Sequence, residues 1–422
     1  MQCRRRPRTP ATFDKHLNIK MLQNTHIAIV GAGAAGCFIA ANLGTMAPGV
    51  DVTVFEAGPK PMAKLAITGG GRCNITNSFE GIRSLKEAYP RGESVMKRAL
   101  KEFSKDDTVR WFTEAGVPLV LQDDNCWFPR SQDAMDVVRC LERGMAGAHL
   151  RLKTPVTSVM PVTTSVIPGL TGYLINGEPF DIVVVTSGGA VHGIPFLNDL
   201  AIEKPVPSLF TFKIDDKGLR SLMGIVVDAA LSIPGAGFKA SGPLLVTDWG
   251  LSGPATLKLS SYAARYLADN GYKAPVAINW LGVSEDEARR VLQLNIGTNP
   301  QKQIKSTHLL PARLWEHIVH RSGLRDDIRW AELGSKGINK LVATITSDNY
   351  LIEGKSKFRE EFVTCGGISL EEVSLSTLES KKHLGMYFAG EVLDIDAITG
   401  GFNLQAAWST GYVVAKAITK SL

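Results

Sequence analysis

The segment from Thr68 to Asn77 carries residue types that packing alone does not explain. It reads TGGGRCNITN, with three consecutive glycines followed by a charged, a thiol and an amide side chain. Glycine supplies no side chain to a core and weakens regular elements, so folded proteins normally keep glycine runs out of them. Such a run instead allows a ligand to approach the main chain closely. The segment is therefore a candidate site for a flat ligand that meets backbone N–H groups.

A second glycine motif, GAGAAG at 31–36, has the spacing G-x-G-x-x-G. It follows the apolar run HIAIV and leads through a helical pattern at 34–45 to a second strand pattern, DVTVF, at 51–55. In this β-α-β context the glycines allow a tight turn, close approach of a pyrophosphate, and close packing of helix on strand. Glu56 ends the second strand, where its carboxylate can accept hydrogen bonds from a ribose. These features predict an adenine dinucleotide, FAD or NAD rather than NADP, because an acidic residue favours an unphosphorylated ribose.

Length and composition are those of a soluble globular protein with room for two or three domains, since 44% of the 422 residues are hydrophobic and 21% are charged. Of the formal net charge of +6, residues 1–20 contribute +5, with six Lys and Arg against one Asp. The nearly neutral remainder predicts neither a nucleic-acid nor a membrane partner. We expect residues 1–23 to form a disordered basic extension rather than a targeting segment, because they lack an apolar core.

Three classes of site are not predicted. The uncharged stretch at 27–50 is long enough to cross a bilayer, but glycines interrupt it and a strand pattern changes to a helix pattern inside it. The six cysteines are scattered without a Cys-x-x-Cys motif, which argues against a disulfide framework and fits a reducing cytoplasm. The histidines are scattered as well, so we expect no metal site.

The pattern changes along the chain and then returns. The amphipathic pattern at 94–115 predicts one helix. After residue 205, short alternating runs separated by Gly and Pro predict antiparallel β structure. A helical stretch follows from Ser284, which forms a capping-box signature with Glu287, and strand-like pieces come next, around 350 and at 358–364. MYFA at 386–389 and a helical pattern at 403–418 resume the first fold. The predicted units are a nucleotide-binding domain at 24–204 and 363–422, a β-rich substrate domain inserted at 205–283 and 346–362, and a helical subdomain at 284–345.

Three segments resemble signatures of one family of FAD-dependent flavoproteins: GGGRCNITN at 69–77, GEVLD at 390–394 and TGGFNLQ at 399–405. That family includes proteins described as aminoacetone oxidase and as a bile-acid dehydro-intermediate reductase, besides members of unknown substrate. Further landmarks extend the resemblance over 24–420. It implies an α/β fold with a Rossmann-like FAD-binding domain of the glutathione-reductase type, split in sequence by the β-rich insert and its helical subdomain.

The resemblance also implies which residues meet the cofactor. The first glycine motif would contact the pyrophosphate, the run at 69–74 the flavin, and the turn at 400–403 would begin a helix facing the pyrimidine edge of the ring. Hydride addition at flavin N5 leaves negative charge on that edge, where amide donors stabilise it. The implied cofactor residues are Gly31, Gly33, Ala34, Ala35, Gly36, Glu56, Ala57, Lys64, Gly69, Gly70, Gly71, Arg72, Cys73, Asn74, Val156, Ser187, Gly188, Gly390, Glu391, Gly400, Gly401, Phe402 and Asn403.

Two features narrow the chemistry. Dithiol flavoenzymes typically carry a second Cys five positions after the first, whereas residue 78 here is Ser, so a flavin-coupled disulfide is not expected. Cys73 is either a neighbour of the ring or a small buried residue that fills space. The segment at 187–193 is shorter than in many family members, and its His192 is interpreted as a surface residue rather than as an acid or base. No catalytic residue is assigned.

The predicted protein is a cytoplasmic FAD-dependent oxidoreductase that transfers a hydride between flavin N5 and a small organic substrate, of the amine/carbonyl or enone type. NAD(P)H is the candidate donor, although the chain has no second dinucleotide motif. Oxidase and reductase directions both stay open, as does the oligomeric state. The alternatives are a FAD-dependent RNA-modifying enzyme, against which the nearly neutral body argues, and a flavin-binding protein without turnover.

Overall fold

The computed structural model describes residues 25–163, 171–189, 194–355 and 363–422. The extension predicted at 1–23, the loop residue His192 and most of the strand-like piece predicted at 358–364 lie outside the described residues.

The elements follow each other in the order that the sequence patterns predict. The strands are β1 (His26–Val30), β2 (Asp51–Phe55), β3 (Thr76–Asn77), β4 (Leu119–Leu121), β5 (Cys126–Pro129), β6 (His149–Arg151), β7 (Val159–Thr163), β8 (Thr171–Ile175), β9 (Glu178–Phe180), β10 (Ile182–Val185), β11 (Ile202–Ser208), β12 (Phe212–Lys213), β13 (Val226–Ser232), β14 (Lys239–Val246), β15 (Gly250–Ser252), β16 (Ala274–Asn279), β17 (Asp348–Ile352), β18 (Gly354–Lys355), β19 (Val363–Ile368) and β20 (Met386–Phe388). The helices are α1 (Ala34–Met46), α2 (Ala63–Gly71), α3 (Leu85–Ala88), α4 (Glu93–Glu102), α5 (Lys105–Glu114), α6 (Ala134–Gly144), α7 (Lys217–Arg220), α8 (Pro254–Tyr262), α9 (Ala264–Asp269), α10 (Glu285–Thr298), α11 (Ala312–Arg321), α12 (Gly334–Thr346) and α13 (Phe402–Ser421).

A five-stranded parallel sheet carries the first glycine motif at its carboxyl edge. Its strand order is β20-β10-β1-β2-β6. The strands β1 and β10 are short apolar runs and are buried, as expected for parallel strands covered on both faces. The chain leaves β1 towards β2 on one side, while β10 pairs with β1 on the other side. Ligands of open α/β sheets bind at the carboxyl ends of the strands beside such a point.

A small sheet of order β3-β5-β4 holds the end of the TGGGRCNITN segment. Thr76 pairs with Trp127, and the Ile75 N–H donates to the Trp127 carbonyl at 2.8 Å. The last residues of the segment, 75–77, are therefore attached to β5. The glycines at 69–71, which precede them, pair with no strand among the described residues.

The inserted part of the chain builds its own layers. Seven strands form an antiparallel sheet of order β17-β16-β13-β14-β15-β12-β18. The helices α10, α11 and α12 lie between β16 and β17 in sequence, and Trp280, Trp315 and Trp330 are fully buried in a second core. The α/β fold class is confirmed, while the exact domain boundaries given above stay a prediction.

The prediction of one continuous helix at 94–115 is wrong. The structure has two helices there, α4 and α5, because Phe103 is extended and Ser104 starts a new helix with a capping box. The Ser104 hydroxyl accepts from the Asp107 N–H at 3.2 Å, and the Asp107 carboxylate accepts from the Ser104 N–H at 2.9 Å. Each of these bonds satisfies a donor that the helix itself leaves unpaired. The apolar periodicity continues across the break, which is why the pattern alone predicts one element.

A buried ion pair joins the first part of the FAD-binding chain to its last part and to the insert. The Arg91 guanidinium contacts both carboxylate oxygens of Asp396 and donates to the Ser261 carbonyl at 2.8 Å. Asp396 also accepts from the Ser208 hydroxyl at 3.0 Å. Burial raises the pKa of the Asp396 carboxyl, and the guanidinium opposes that rise. Because a carboxylate buried without its partner is costly, this pair ties three remote segments together.

Replacing Arg91 by Ala should lower the free energy of unfolding by about 3–5 kcal/mol, because it leaves the Asp396 carboxylate buried and unpaired. The measurement is urea denaturation followed by circular dichroism. Arg98, exposed on α4, provides the matched control, and Arg98→Ala should change stability by less than about 0.5 kcal/mol. Equal effects of the two substitutions would show that the pair contributes nothing specific.

Candidate FAD-binding site

Two glycines of the first motif are required by the packing of the protein itself. Gly31 has φ +108°, and a Cβ there would lie 2.5 Å from the Thr186 carbonyl oxygen. A Cβ at Gly36 would lie 2.1 Å from the Gly31 carbonyl oxygen. The Thr186 hydroxyl fixes the same turn by donating to the Gly31 carbonyl at 2.8 Å. Gly31 and Gly36 therefore let β1, β10 and α1 approach each other closely.

Gly33 has a different reason to be glycine. Its φ of −82° is open to any residue, and a Cβ there would meet no atom of the described residues within 4 Å. Gly33 is the N-cap of α1, and Ala34, Ala35 and Gly36 form the first turn, with no acidic side chain among them. The N–H groups of a first turn have no acceptor inside the helix, and the helix dipole adds positive charge. The open space in front of Gly33 suits an anion such as a pyrophosphate.

Glu56 is oriented by the backbone at the end of β2. Its Oε2 accepts from the Ala32 N–H at 3.0 Å and its Oε1 from the Gly58 N–H at 2.7 Å. Each carboxylate oxygen keeps a lone pair for a ribose hydroxyl. The Thr154 N–H donates to the Glu56 carbonyl at 2.8 Å. This bond brings Val156, one of the implied cofactor residues, close to the end of β2. Ala57, exposed, follows Glu56 directly.

The opposite wall comes from the ends of β10 and β20. A Cβ at Gly390 would lie 3.0 Å from the Ala35 Cβ, so the turn after β20 closes over the first turn of α1. A Cβ at Gly188 would lie 3.4 Å from Oε2 of Glu391. The Lys64 ammonium lies 3.4 Å from the same oxygen, with its side chain largely exposed. A pair this exposed adds little to stability, so Lys64 is free to turn towards a bound phosphate.

Ser187 is the clearest orphaned polar group in the groove. Its Oγ is buried and has no hydrogen-bond partner among the residues that the structure describes. Its Cα lies 3.2 Å from the position of a Cβ on Gly31, which places it beside the first glycine turn. A buried hydroxyl without a partner costs about 1–3 kcal/mol, and native proteins rarely keep one. An oxygen of a bound dinucleotide would supply the missing partner.

The glycine run of the TGGGRCNITN segment ends α2 and leaves its backbone open. Gly69, Gly70 and Gly71 have φ of +59°, +69° and +82°, which side chains rarely adopt. A Cβ at Gly70 or Gly71 would find no described atom within 4 Å. The Arg72 guanidinium lies over the Phe128 ring, 4.5 Å from its centroid, at the rim of this opening. A flat ring can therefore approach the backbone here without displacing a side chain.

Cys73 is buried behind the run and is chemically quiet. Its side chain is fully buried, and desolvation raises the pKa of its thiol to about 12. The neighbouring thiol of Cys126 is also desolvated, with its pKa raised to about 11. Because the thiolate is the reactive form, neither group is a nucleophile near neutral pH.

Two asparagines join the glycine run to the start of α13. The Asn74 amide accepts from the Gly401 N–H at 3.2 Å and donates to the Thr76 carbonyl at 3.0 Å. The Asn77 amide donates to the Gly400 carbonyl at 2.9 Å. A side chain at 401 could not be accommodated, because its Cβ would lie 2.6 Å from the Thr76 carbonyl oxygen and would also collide with the Asn74 amide. The two predicted flavin segments are thus adjacent, although the Asn74 amide faces the protein.

The start of α13 is open to a ligand. Its N-cap residue Gly401 is left-handed and supplies no side-chain cap, and its first turn has no acidic residue. Asn74 accepts from the Gly401 N–H, which precedes that turn. Phe402 is buried, and its carbonyl accepts from the Tyr89 hydroxyl at 2.9 Å. The Asn403 amide is bound to the backbone of Ala397, at 2.9 Å and 3.1 Å, so it shapes the preceding loop. The N–H groups of this turn are left to meet a ligand.

Gln405 is a site residue that the sequence analysis missed. Its buried amide oxygen accepts from the hydroxyls of Thr76 at 2.5 Å and Thr108 at 2.9 Å, and its nitrogen donates to Ser409 at 2.8 Å. This network fixes the angle at which α13 meets the glycine run. A polar residue on the buried face of an otherwise apolar helical pattern was the available signal.

Contacts along α13 bring the separate pieces of the candidate site together. The Gly390 N–H donates to the Thr410 hydroxyl at 2.9 Å, so this point of α13 lies beside the first turn of α1. Eight residues separate it from Phe402, or about 12 Å along the helix. The groove therefore runs from Glu56 past Gly33 to Gly401, with open backbone at both phosphate and ring positions. FAD in its extended form fits this arrangement of donors and side-chain-free backbone.

The described ranges offer neither a metal centre nor a membrane-spanning helix. They contain no group of three or more His, Cys, Asp and Glu side chains placed to hold a metal ion. They also contain no helix both long and apolar enough to cross a bilayer.

Gly33→Ala should weaken FAD binding by about tenfold or more without lowering the melting temperature, because its methyl group enters the open space at the helix start. The measurement is the dissociation constant of FAD from quenching of its fluorescence. Gly147→Ala is the control, since its Cβ is also unopposed by described atoms but lies on the surface away from the groove. Unchanged affinity in Gly33→Ala would contradict the proposed pyrophosphate position.

Ser187→Ala should affect the free and FAD-bound proteins in opposite directions. Removing an unpartnered buried hydroxyl should leave the FAD-free protein equally stable or up to about 1 kcal/mol more stable. FAD should bind about 5- to 10-fold more weakly, because one hydrogen bond to the cofactor is lost. Thermal melting with and without FAD measures both effects. A variant that loses stability without FAD would show that Ser187 already has a protein partner.

The chain is similar to several known proteins. Ribosomal RNA dihydrouridine synthase of Haemophilus influenzae is 28% identical over 95% of this chain and 100% of its own. The 3-dehydro-bile acid delta(4,6)-reductase of Clostridium scindens is 25% identical over 93% of this chain and 98% of its own. The crystal structure of 3-ketosteroid delta1-dehydrogenase from Sterolibacterium denitrificans covers 94% of this chain and 99% of its own at 13% identity, with a TM-score of 0.44.

The family comparison is more direct. The family model described as HI0933-like protein Rossmann domain matches residues 25–417, which is nearly all of the described chain. It confirms the predicted resemblance to FAD-dependent oxidoreductases and the Rossmann-type class of the fold. The chain belongs to the family of the HI0933-like protein Rossmann domain.

Proposed function

We propose that this FAD-dependent oxidoreductase saturates a carbon–carbon double bond that is conjugated to a carbonyl group, with NAD(P)H as the electron donor. The observation that carries the proposal is the meeting of the open glycine run at 69–71 with the uncapped start of α13. Amide donors and a helix dipole at that point favour the negative charge that reduction places on the pyrimidine edge of a flavin. The arrangement supports a cofactor that is stabilised in its reduced form, which carries the hydride that the substrate receives.

The two named relatives support the kind of bond. Formation of dihydrouridine saturates the C5=C6 bond of uridine, which is conjugated to the C4 carbonyl. A delta(4,6)-reductase acting on a 3-dehydro steroid likewise saturates double bonds conjugated to the 3-oxo group. Both reactions add a hydride to a carbon made electron-poor by a carbonyl. The two relatives therefore share a type of reaction, although their substrates differ.

The chain supplies binding and orientation for this chemistry. Bound FAD would supply the hydride chemistry, from a nicotinamide donor to the β-carbon of the substrate, with a proton from solvent or a side chain completing the reduction at the α-carbon. The first turn of α1 would hold the pyrophosphate and Glu56 the ribose, which fixes the cofactor lengthwise. The Gln405 network would keep α13 at the angle that aims its N–H groups at the ring.

Thiol chemistry has no part in this proposal. Cys73 lies next to the glycine run, but its thiol stays protonated near neutral pH. Direct hydride transfer from nicotinamide to flavin, and then from flavin to substrate, would require only that the nicotinamide and the substrate approach the flavin ring in turn. This suits a chain with one dinucleotide motif.

Uridine in RNA is a second candidate substrate beside a small enone. The relative from Haemophilus influenzae favours it, because the similarity covers 95% of this chain and all of that relative. The nearly neutral charge of the body argued against RNA, but average charge does not describe local surfaces. Both candidates contain the same conjugated bond, so one assay design covers them.

Anaerobic mixing of the FAD-bound protein with NADH or NADPH should bleach the visible band of the oxidised flavin. Subsequent addition of 2-cyclohexen-1-one or of a uridine-containing RNA should restore the band, because each offers a conjugated double bond. Cyclohexanone is the matched control and should restore nothing. Stopped-flow absorbance gives both rates, and product analysis identifies the saturated bond.

Two outcomes would contradict the proposal. Failure of both nicotinamides to bleach the flavin would exclude NAD(P)H as donor. Reoxidation by oxygen alone, with neither unsaturated compound accelerating it, would point to an oxidase instead of a reductase.

A further inference from the structure

A cleft of about 630 Å³ separates the FAD-binding part of the chain from the insert. Residues 84–91 form one wall, while residues 237–239 at the start of β14 and 262–266 at the junction of α8 and α9 form the other. Its volume lies within the range of about 300–1,000 Å³ typical of ligand sites. The groove assigned to FAD does not use these residues, so the cleft is a separate feature.

The cleft is basic. Lys86, Arg91, Lys239 and Arg265 line it, against one acidic residue, Glu87. Lys86 and Lys239 are exposed, and neither forms an ion pair with any residue that the structure describes. Arg91 and Arg265 are held by carboxylates, those of Asp396 and Asp394 respectively. Neither carboxylate lines the cleft, so the opening stays basic. Two unpaired ammonium groups on facing walls suit an anionic ligand long enough to touch both.

The cleft is also aromatic. Phe238 and Tyr266 pack with their ring centroids 5.7 Å apart and their planes at 49°. Both rings are half-buried, so part of each stays open to the cleft. Tyr262 completes the wall, and its hydroxyl donates to the Glu87 carbonyl across the cleft at 3.0 Å. Aromatic rings interleaved with cations provide the stacking and charge that single-stranded nucleic acids use.

The walls are connected to the loop that precedes α13. Arg91 bonds Asp396, and Arg265 donates to both carboxylate oxygens of Asp394 at 2.8 Å. Asp394 and Asp396 lie in the chain that leads into Gly400 at the predicted ring position. A ligand in the cleft therefore lies next to the structure that positions the flavin.

The insert carries a positive charge that the whole-chain average hides. Residues 209–355 contain 18 Lys and Arg against 14 Asp and Glu, a net charge of +4. The charge outside the first 20 residues is only +1, so the FAD-binding parts are net acidic and offset the insert. The average charge of the chain therefore does not exclude a local nucleic-acid site. One wall of the cleft, formed by 237–239 and 262–266, belongs to the basic insert.

We propose that the cleft binds the single-stranded RNA nucleotides that flank the uridine presented to the flavin. The inference rests on the proposed function and names its substrate class. Lys86 and Lys239 contact phosphates on the two walls, and Tyr266 with Phe238 stacks a base. An enzyme acting on a base must take it out of its stack, and holding its neighbours in the cleft offsets part of that cost.

The test measures binding of a short fluorescein-labelled oligouridylate to the FAD-bound full chain by fluorescence anisotropy at several salt concentrations. In the double variant Lys86→Glu and Lys239→Glu, affinity should fall about tenfold or more, and the salt dependence should become less steep by about 1.4 in log–log slope. Lys336→Glu is the control, because Lys336 is exposed on α12 away from the cleft, and it should stay within about twofold of the unaltered protein. The basic residues 1–20 are present in every sample, so they do not account for a difference.

A second set of variants distinguishes the contribution of base stacking to binding from that of charge. Tyr266→Ala should weaken binding about tenfold, whereas Tyr266→Phe should bind like the unaltered protein because the ring remains. Retained FAD absorbance and melting temperature show that each variant is folded. Equal binding by the double variant, or an equal loss in Lys336→Glu, would overturn the inference.

Failure of the inference and failure of the proposed function give different results. Turnover of 2-cyclohexen-1-one without cleft-dependent RNA binding would overturn the inference and leave the function standing. Cleft-dependent RNA binding with no reoxidation of the flavin by either unsaturated compound would support the cleft and overturn the function.

Discussion

Main-chain N–H groups can bind a long anionic cofactor only where no Cβ stands between them and the ligand. The glycines of this chain meet that constraint in two ways. Gly31, Gly36 and Gly401 have no room for a side chain because the protein's own backbone or an amide fills the space. Gly33 and Gly70 have room that no described atom fills. The first group builds the groove, and the second keeps it open for FAD.

The groove draws on remote parts of the chain, so buried polar contacts must hold those parts in register. Gln405 attaches α13 to Thr76 and Thr108, and Arg91 attaches Asp396 to the insert. Such contacts contribute little net energy when complete but are costly to break, which makes them effective at fixing one arrangement. The position of the flavin relative to the insert, and hence the route of a substrate, depends on these few bonds.

The local part of this architecture could be predicted from sequence, because β1, α1 and β2 are specified by short-range patterns and by a motif that requires them. The helix start at Ser284 was predictable for the same reason, and its hydroxyl accepts from the Glu287 N–H at 3.3 Å. The break at Ser104 was missed because apolar periodicity continues across it. The roles of Gln405 and Asp396 depend on partners hundreds of residues away, which no local pattern reveals.

The predicted site residues also divide by role in a way that spacing could not show. The Asn74 and Asn403 amides face the protein and shape the turns, although their segments border the ring position. The basic cleft was missed because charge was averaged over the chain, whereas binding depends on where the charges lie. The sequence identified the cofactor, while the folded chain was needed to locate the surface beside it.

Hydrogen–deuterium exchange of the protein with and without FAD tests the central claim most directly, because it reports on main-chain N–H groups themselves. The account predicts that FAD slows exchange in peptides covering 31–36, 69–74 and 400–403, and leaves α10 in the insert unchanged. Protection in only one of the three glycine segments, or in none of them, would contradict a single groove that binds the extended cofactor.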